Sequence, residues 1–233
     1  MKLIFIRHGD PCRDTFSISE KGIEEVKLLG NFFTKYKIKE ILSATSTRAE
    51  ETVDHFIQPN NKIPIKSFKW LNEFKHKIIL PNGKEQFPWE IPLDFWCGNK
   101  KVLNKMYTEG NIMNYAKEIW CELDKFLESK GYSREKARYM VTHGNEDCFV
   151  FITHFATISV ILAYLLNIPL VIMLHAFWQA PSAYTTLITE EMEKGKVIFR
   201  CVGYGETMHL ANNENLMSYY GLQQEVSNKN GGN

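Results

Sequence analysis

The sequence predicts an α/β fold, a three-layer sandwich with a mainly parallel central sheet, helices on both faces and an inserted lid region. Two observations carry that expectation. Continuous apolar runs, "KLIFI" at residues 2–6 and "CFVFIT" at 148–153, have the composition of buried parallel strands rather than the alternation of half-exposed ones. Each run leads into a segment with helical spacing, and strands alternating with helices build a sheet with crossover connections. A chain of 233 residues, 44% hydrophobic and 24% charged, can bury a sizeable core. The expected organisation is one domain over residues 1–224 with the lid at about 74–110, followed by a frayed tail at 225–233.

In order along the chain, "SISEKGIEEVKLLGNFFTKY" reads as a helix with Ser19 as N-cap and Ile23, Val26, Leu29 and Phe33 on one face. "KEILSATSTRAEETVDHFI" gives a strand around Ile41, a Ser/Thr-rich turn and a helix opening at Thr47 or Arg48. Beyond Pro64 the pattern weakens, and residues 74–110 mix Pro, Gly, Trp, Lys and Asn without a sustained period, which marks the lid. "IMNYAKEIWCELDKFLESKGY" restores a helix that Gly131 ends, with a shorter helix expected from Ser133. "DCFVFITHFATISVILAYLLNIP" gives a strand, a histidine at its end, and an apolar helix. "AYTTLITEE" and "KVIFRCVGY" close the pattern as strands around a turn at Gly195.

The net charge of +1 speaks against a nucleic-acid partner. Five cysteines, at positions 12, 97, 121, 148 and 201, are odd in number and form no CxxC pair, which fits reduced thiols and a cytoplasmic location. No membrane partner is expected. The longest apolar stretch, Ile158 to Leu174, is broken by Asn167 and Pro169 and reads as a buried helix and a turn.

Arg7 and His8 close the first strand, Arg48 follows the second, and His154 closes a later one. In open α/β sheets ligands bind beyond the carboxyl ends of the strands, so these segments aim basic groups at one crevice. Phosphate suits such a crevice, because guanidinium offers paired planar donors and helix N-termini add backbone N–H groups. A fixed histidine can also attack phosphorus and divide one displacement into two through a phosphohistidine. That scheme needs no cofactor and no metal.

"IRHGDP" resembles the signature of the histidine phosphatase superfamily, the phosphoglycerate mutase-like family, which places an Arg-His-Gly triplet after its first strand. Further matches follow in the family's order. "ISEKG" resembles its Leu-Thr-x-x-Gly turn, "LSATSTRAEETV" its Ser-x-x-x-Arg-Ala-x-x-Thr segment, "LNEF" its Leu-x-Glu stretch, and "VFITHFATISVILAYLLNIP" its second-histidine strand and helix. The likeness spans about residues 3–210 and is weakest between 74 and 145. It implies that His8 is the phosphorylated nucleophile, that Arg7, Arg48 and His154 hold the phosphoryl group, and that Glu73 is the general acid and base. The implied substrate is a phosphorylated small molecule or a phosphoprotein.

The family's mutases follow the triplet with a different pattern from Asp10, Pro11, Cys12 and Arg13, which favours hydrolysis over phosphoryl transfer. A mutase and a non-catalytic phosphate-binding module remain the alternatives. "VTHG" at His143 imitates the second-histidine motif more literally than "ITHF" at His154, but His154 has the strand before it and the apolar helix after it. Glu85 and Glu90 compete with Glu73. His55, His76 and His175 read as surface or core residues, His209 as structural, and Cys12 as a bystander. Trp70, Phe74, Phe87, Trp89, Phe95 and Trp96 wall a substrate pocket or form a small core under the lid.

Overall fold

Strand β1 (Lys2–Arg7) is flanked on both edges, by β8 (Cys148–Thr153) in parallel and by β9 (Tyr184–Glu193) in antiparallel. The computed structural model describes residues 1–57, 62–98 and 100–222, so the expectation for the 225–233 tail falls outside the described residues. β1, β8 and β9 join β2 (Ile38–Ala44), β3 (Ile65–Phe68), β10 (Lys196–Glu206), β7 (Arg138–Val141) and β6 (Tyr132–Glu135) in one eight-stranded sheet of order β3-β2-β8-β1-β9-β10-β7-β6. The four strands β3, β2, β8 and β1 run side by side in one direction. β10 and β6 point the same way while β9 and β7 oppose them, so the mainly parallel sheet has an antiparallel flank.

Side chains of successive strand residues point to opposite faces, and this alternation sorts the helices into two layers. Phe5 stacks on Phe151, its neighbour on β8, and Phe151 meets Phe126 of helix α5 (Ile112–Ser129) edge-on. On the other face Ile6 pairs with Tyr184, which packs against Phe33 of α1 (Glu20–Phe33). Phe33 in turn contacts Phe56 of α2 (Thr47–Phe56). Helix α6 (Phe155–Leu165) is buried nearly all round, which explains an apolar run with little amphipathic character. Among the described residues no helix is long and apolar enough to cross a membrane.

The region between residues 74 and 110 holds a two-stranded hairpin, β4 (Ile78–Ile79) with β5 (Glu85–Gln86), and helices α3 (Leu93–Gly98) and α4 (Lys100–Glu109). Its Ile78, Leu80, Ile91, Leu103 and Met106 are buried in the same apolar cluster as the sheet. α7 (Leu170–Ala176) follows the turn at Asn167, whose φ is 56°.

One expected element differs. The segment after Gly131 is not a helix but the β6–β7 hairpin, turning at Lys136 with a φ of 59°. Tyr132, Tyr139 and Val141 are buried while Ser133, Glu135 and Met140 face out, so the period is two. The hydroxyl of Tyr139 donates to Asp124 of α5 at 2.8 Å and accepts from Arg134 at 2.9 Å. Those tertiary contacts outweigh the helical propensity of "REKAR".

The loop that ends β1 lies directly on α1. A Cβ at Gly22 would stand 2.5 Å from the carbonyl oxygen of Asp10 and 2.7 Å from its nitrogen, and one at Gly9 would stand 2.9 Å from the carbonyl of Gly22. Backbone therefore packs on backbone at this point. Gly22→Ala is expected to lower folding stability by about 1–3 kcal/mol, as overpacking does; urea unfolding checks it, and an unchanged midpoint would mean that the loop yields.

Candidate active site

Four neighbouring parallel strands deliver their carboxyl ends to one place. Arg7 and His8 end β1, His154 ends β8 and is the N-cap of α6, and Ser46 and Arg48 follow β2 at the start of α2. Glu73 follows β3 after one 3-10 turn. The structure thus brings Arg7, His8, Arg48, Glu73 and His154 together. Arg7, His8, Arg48 and Glu73 floor a cavity of about 840 Å³, and His154 stands beside it, edge-on to His8 with ring centroids 5.0 Å apart.

Each side chain is fixed by its surroundings. His8 Nδ1 lies 2.8 Å from the carbonyl of Gly9; with the N–H there, a neutral ring carries its lone pair on Nε2. The Gly9 amide donates to Thr52 Oγ1 at 3.1 Å, and that hydroxyl donates to the Arg48 carbonyl at 2.6 Å, so α2 grips the loop that carries the histidine. Arg7 Nη1 donates to the carbonyls of Gln179 at 2.6 Å and Tyr220 at 3.3 Å. Its guanidinium also lies 5.8 Å from the rings of Phe155 and Tyr220. The Nε–H groups of Arg7 and Arg48 are buried and find no acceptor among the described residues.

Glu73 is held from both sides of the chain. The Leu71 carbonyl accepts from Thr153 Oγ1, the Asn72 carbonyl accepts from Thr157 Oγ1 at 2.7 Å, and the Phe74 amide donates to Thr157 Oγ1 at 3.0 Å. The Ala156 amide, in the first turn of α6, donates to Glu73 Oε1 at 3.2 Å, and Oε2 lies 3.8 Å from His154 Nδ1. His154 Nε2 is 2.9 Å from the Ser46 hydroxyl.

Burial dominates the electrostatics. It holds His8 well below the ordinary histidine pKa, reinforced by His154 and Arg7, and lowers His154 to about 3, with Arg48 and Lys75 acting in the same direction. Burial also raises Glu73 to about 7 against the pull of Arg7, and lowers Arg7 only to about 10, so the guanidinium keeps its charge at neutral pH. Glu25 on α1 is fully buried beneath this loop, with its carboxylate accepting from the Asp10 amide at 3.1 Å, and burial raises it to about 8.

The competing candidates fall elsewhere. His143 is exposed in the connection between β7 and β8, at the opposite end of the sheet, near the Met1 ammonium that donates to the Asn145 carbonyl. Glu85 is paired with Lys77 at 3.3 Å away from the floor, and Glu90 stands on the cavity rim, exposed. Phe87 and Trp89 line the cavity, whereas Trp70 and Phe74 line a separate one; Phe95 and Trp96 pack on the core, Trp96 against His175. His209 is buried with its Nε2 3.0 Å from Ser182 Oγ.

Sequence reasoning missed several residues of the cavity wall. Phe155, Trp178 and Tyr220 join it, as does His175, because chain segments far apart in sequence converge over the floor. Only Phe155, directly after the motif histidine, carried a local signal. The neutral state of the two site histidines is open to test: the ring resonances of His8 and His154 are expected to stay at the neutral position from pH 8 to pH 5, and a half-titration near 6.5 in either would contradict the burial argument.

Known proteins give the same picture. Residues 3–79 match the model of the histidine phosphatase superfamily (branch 1). No curated protein matches the chain in sequence. A phosphoserine phosphatase from Entamoeba histolytica, solved with 3-phosphoglyceric acid, superposes with a TM-score of 0.60 at 16% identity over 90% of this chain and 98% of its own. An alpha-ribazole phosphatase from Shigella flexneri superposes at 0.54 and 15% identity over 86% and 95%. A mycobacterial glucosyl-3-phosphoglycerate phosphatase gives 0.54 and 15% over 86% and 96%. The triplet of Arg7, His8 and Gly9 lies inside the matched segment, so the first third of the chain is similar to the histidine phosphatase superfamily, and the solved structures share the fold over most of its length.

Proposed function

We propose that the protein is a phosphatase that hydrolyses a phosphomonoester, without need of a metal, through a covalent phosphohistidine on His8. The observation that carries this reading is one juxtaposition: a buried histidine tethered through Nδ1, which burial keeps neutral, stands among two guanidinium groups whose buried Nε–H atoms find no acceptor among the described residues. Donors left unpartnered in a buried site favour an anion with several oxygens.

In the first step Nε2 of His8 attacks phosphorus and the bond from phosphorus to the ester oxygen breaks. Arg7, Arg48 and His154 stabilise the charge on the equatorial oxygens. Glu73, with its pKa raised to about 7, gives its proton to the departing alkoxide. In the second step the Glu73 carboxylate takes a proton from water, the water oxygen attacks phosphorus, and the bond from phosphorus to nitrogen breaks. Inorganic phosphate leaves and His8 is restored. A phosphate group on the floor would find Arg7 fixed by the Gln179 carbonyl and Arg48 fixed by its helix, so little reorganisation is needed on binding.

Hydrolysis of an aryl phosphate by the wild type and by His8→Ala, with quenched samples assayed for phosphohistidine, tests this reading. Turnover with a trapped phosphohistidine that vanishes with His8 is expected; turnover that survives His8→Ala would overturn it. Arg48→Ala is expected to lower kcat by roughly 10²–10³-fold, the cost of losing one positioned transition-state donor, and an unchanged kcat would remove Arg48 from that role. Phosphoenzyme formation from an alkyl phosphate needs Glu73 protonated, so its rate should fall as pH rises through about 7. Glu73→Gln should abolish that limb, and a limb that persists in the variant would assign it to another group.

A further inference from the structure

The cavity is far larger than a phosphate with a three-carbon alcohol needs, about 840 Å³ in all. Above the charged floor its wall is aromatic and comes from three parts of the chain: Phe87 and Trp89 from the lid, Phe155 from α6, and Trp178 and Tyr220 from the C-terminal third. The wall rings brace one another. Phe87 and Trp89 stack with centroids 4.7 Å apart and planes 3° apart, Trp89 meets Phe155 edge-on at 6.2 Å, and Trp178 lies parallel to Tyr219 at 6.1 Å.

The charges of the wall are as informative as its rings. Among the described residues that line it, the arginines are Arg7 and Arg48, both on the floor, the other charged side chains are Glu73 and Glu90, and none is a lysine; Lys77 lies against the Phe87 ring with its Nζ 5.9 Å from the centroid. Away from the floor, a second carboxylate or phosphate on the substrate would find no cation among these described lining residues, and burying an unpaired anion is costly. Two ring nitrogens of the wall, Trp178 Nε1 and His175 Nδ1, are buried and without a partner among the described residues. They suit a leaving group that carries neutral hydrogen-bonding atoms beside its apolar surface.

We propose that the substrate class is a small monophosphate ester of an alcohol bearing a planar aromatic or heteroaromatic ring and no second anionic group. The ring lies among Trp89, Phe155 and Trp178 while the phosphoryl group occupies the floor. This rests on the phosphatase reading above, and it adds which alcohol the site selects.

Steady-state kinetics on primary-alkyl monophosphates tests it, because their leaving groups have similar intrinsic reactivity. The probes are 2-phenylethyl phosphate, 2-(indol-3-yl)ethyl phosphate, butyl phosphate and 3-phosphoglycerate. The arylalkyl esters are expected to exceed butyl phosphate in kcat/KM by about tenfold, the gain from one stacked and desolvated ring, with 3-phosphoglycerate the poorest. Trp89→Leu and Trp178→Leu should each collapse the arylalkyl-to-butyl ratio toward one. Equal values for arylalkyl and butyl esters, or a preference for 3-phosphoglycerate, would overturn the proposal. Binding of 2-phenylethylphosphonate and butylphosphonate to the wild type, by calorimetry, supplies a readout that needs neither turnover nor a folded variant. If no ester is hydrolysed and no phosphohistidine forms, the phosphatase reading fails, and the two phosphonates still decide the pocket: tighter binding of the aryl compound supports it, equal binding overturns it.

Discussion

Arg7 and His8 stand where a buried central strand of the sheet runs out, and they are only 5% and 2% exposed. A cation and an imidazole cannot be held that deep unless oxygen acceptors reach them, and the surrounding architecture follows from meeting that demand. The Gln179 carbonyl and the Tyr220 carbonyl come to the guanidinium, and the Gly9 carbonyl comes to the imidazole. Gln179 is itself pinned, donating to the Ala183 carbonyl at 2.8 Å and accepting from Thr185 Oγ1 at 2.8 Å. The loop after the histidine is pinned too. Asp10 accepts from the hydroxyls of Ser19 and Ser218 and receives Glu25 at its amide. Among the described residues this network leaves the buried Nε–H groups of Arg7 and Arg48 and one Glu25 oxygen, Oε1, without a partner.

Much of this was legible before the structure, because it rests on local pattern. Ser19 caps α1 by accepting from the Gly22 amide at 3.0 Å, Thr47 opens α2, and "CFVFIT" is a strand with all six residues buried. Those elements carry Arg7, His8, Arg48 and His154, so their convergence could be inferred from topology alone. What escaped has a different physical origin. The β6–β7 hairpin is dictated by the buried Tyr139 and its bond to Asp124, which a local window cannot see. The antiparallel flank arises because the chain returns from β8 through α6 and α7 to lay β9 antiparallel on the other edge of β1, while helix α4 has a mixed composition whose apolar face becomes evident only against β4. Trp178 and Tyr220 meet the cavity through chain reversals that leave no trace in spacing.

Burial also divides the chemical roles. The same desolvation that keeps the two imidazoles neutral keeps the Glu73 carboxyl protonated to near neutrality, since in each case it disfavours the charged form. Arg7 escapes because its intrinsic pKa is so high that a large reduction still leaves it cationic. One environment therefore yields a base, an acid and a fixed positive charge side by side. The identity of each follows from its chemistry in water.

The placement of β1 has a further consequence for how the chain is made. Its two neighbours in the sheet are β8 and β9, so this apolar strand keeps one edge open until residue 153 has followed it and the other until residue 193 has. At ordinary elongation rates that interval is roughly ten to forty seconds. Exposed strand edges are templates for intermolecular pairing, and closing such distant contacts is slow. The crevice is consequently complete only late: a nascent chain holding residues 7, 8, 48 and 73 but not 148–154 lacks His154 and the strand β8 that joins β1 to β2.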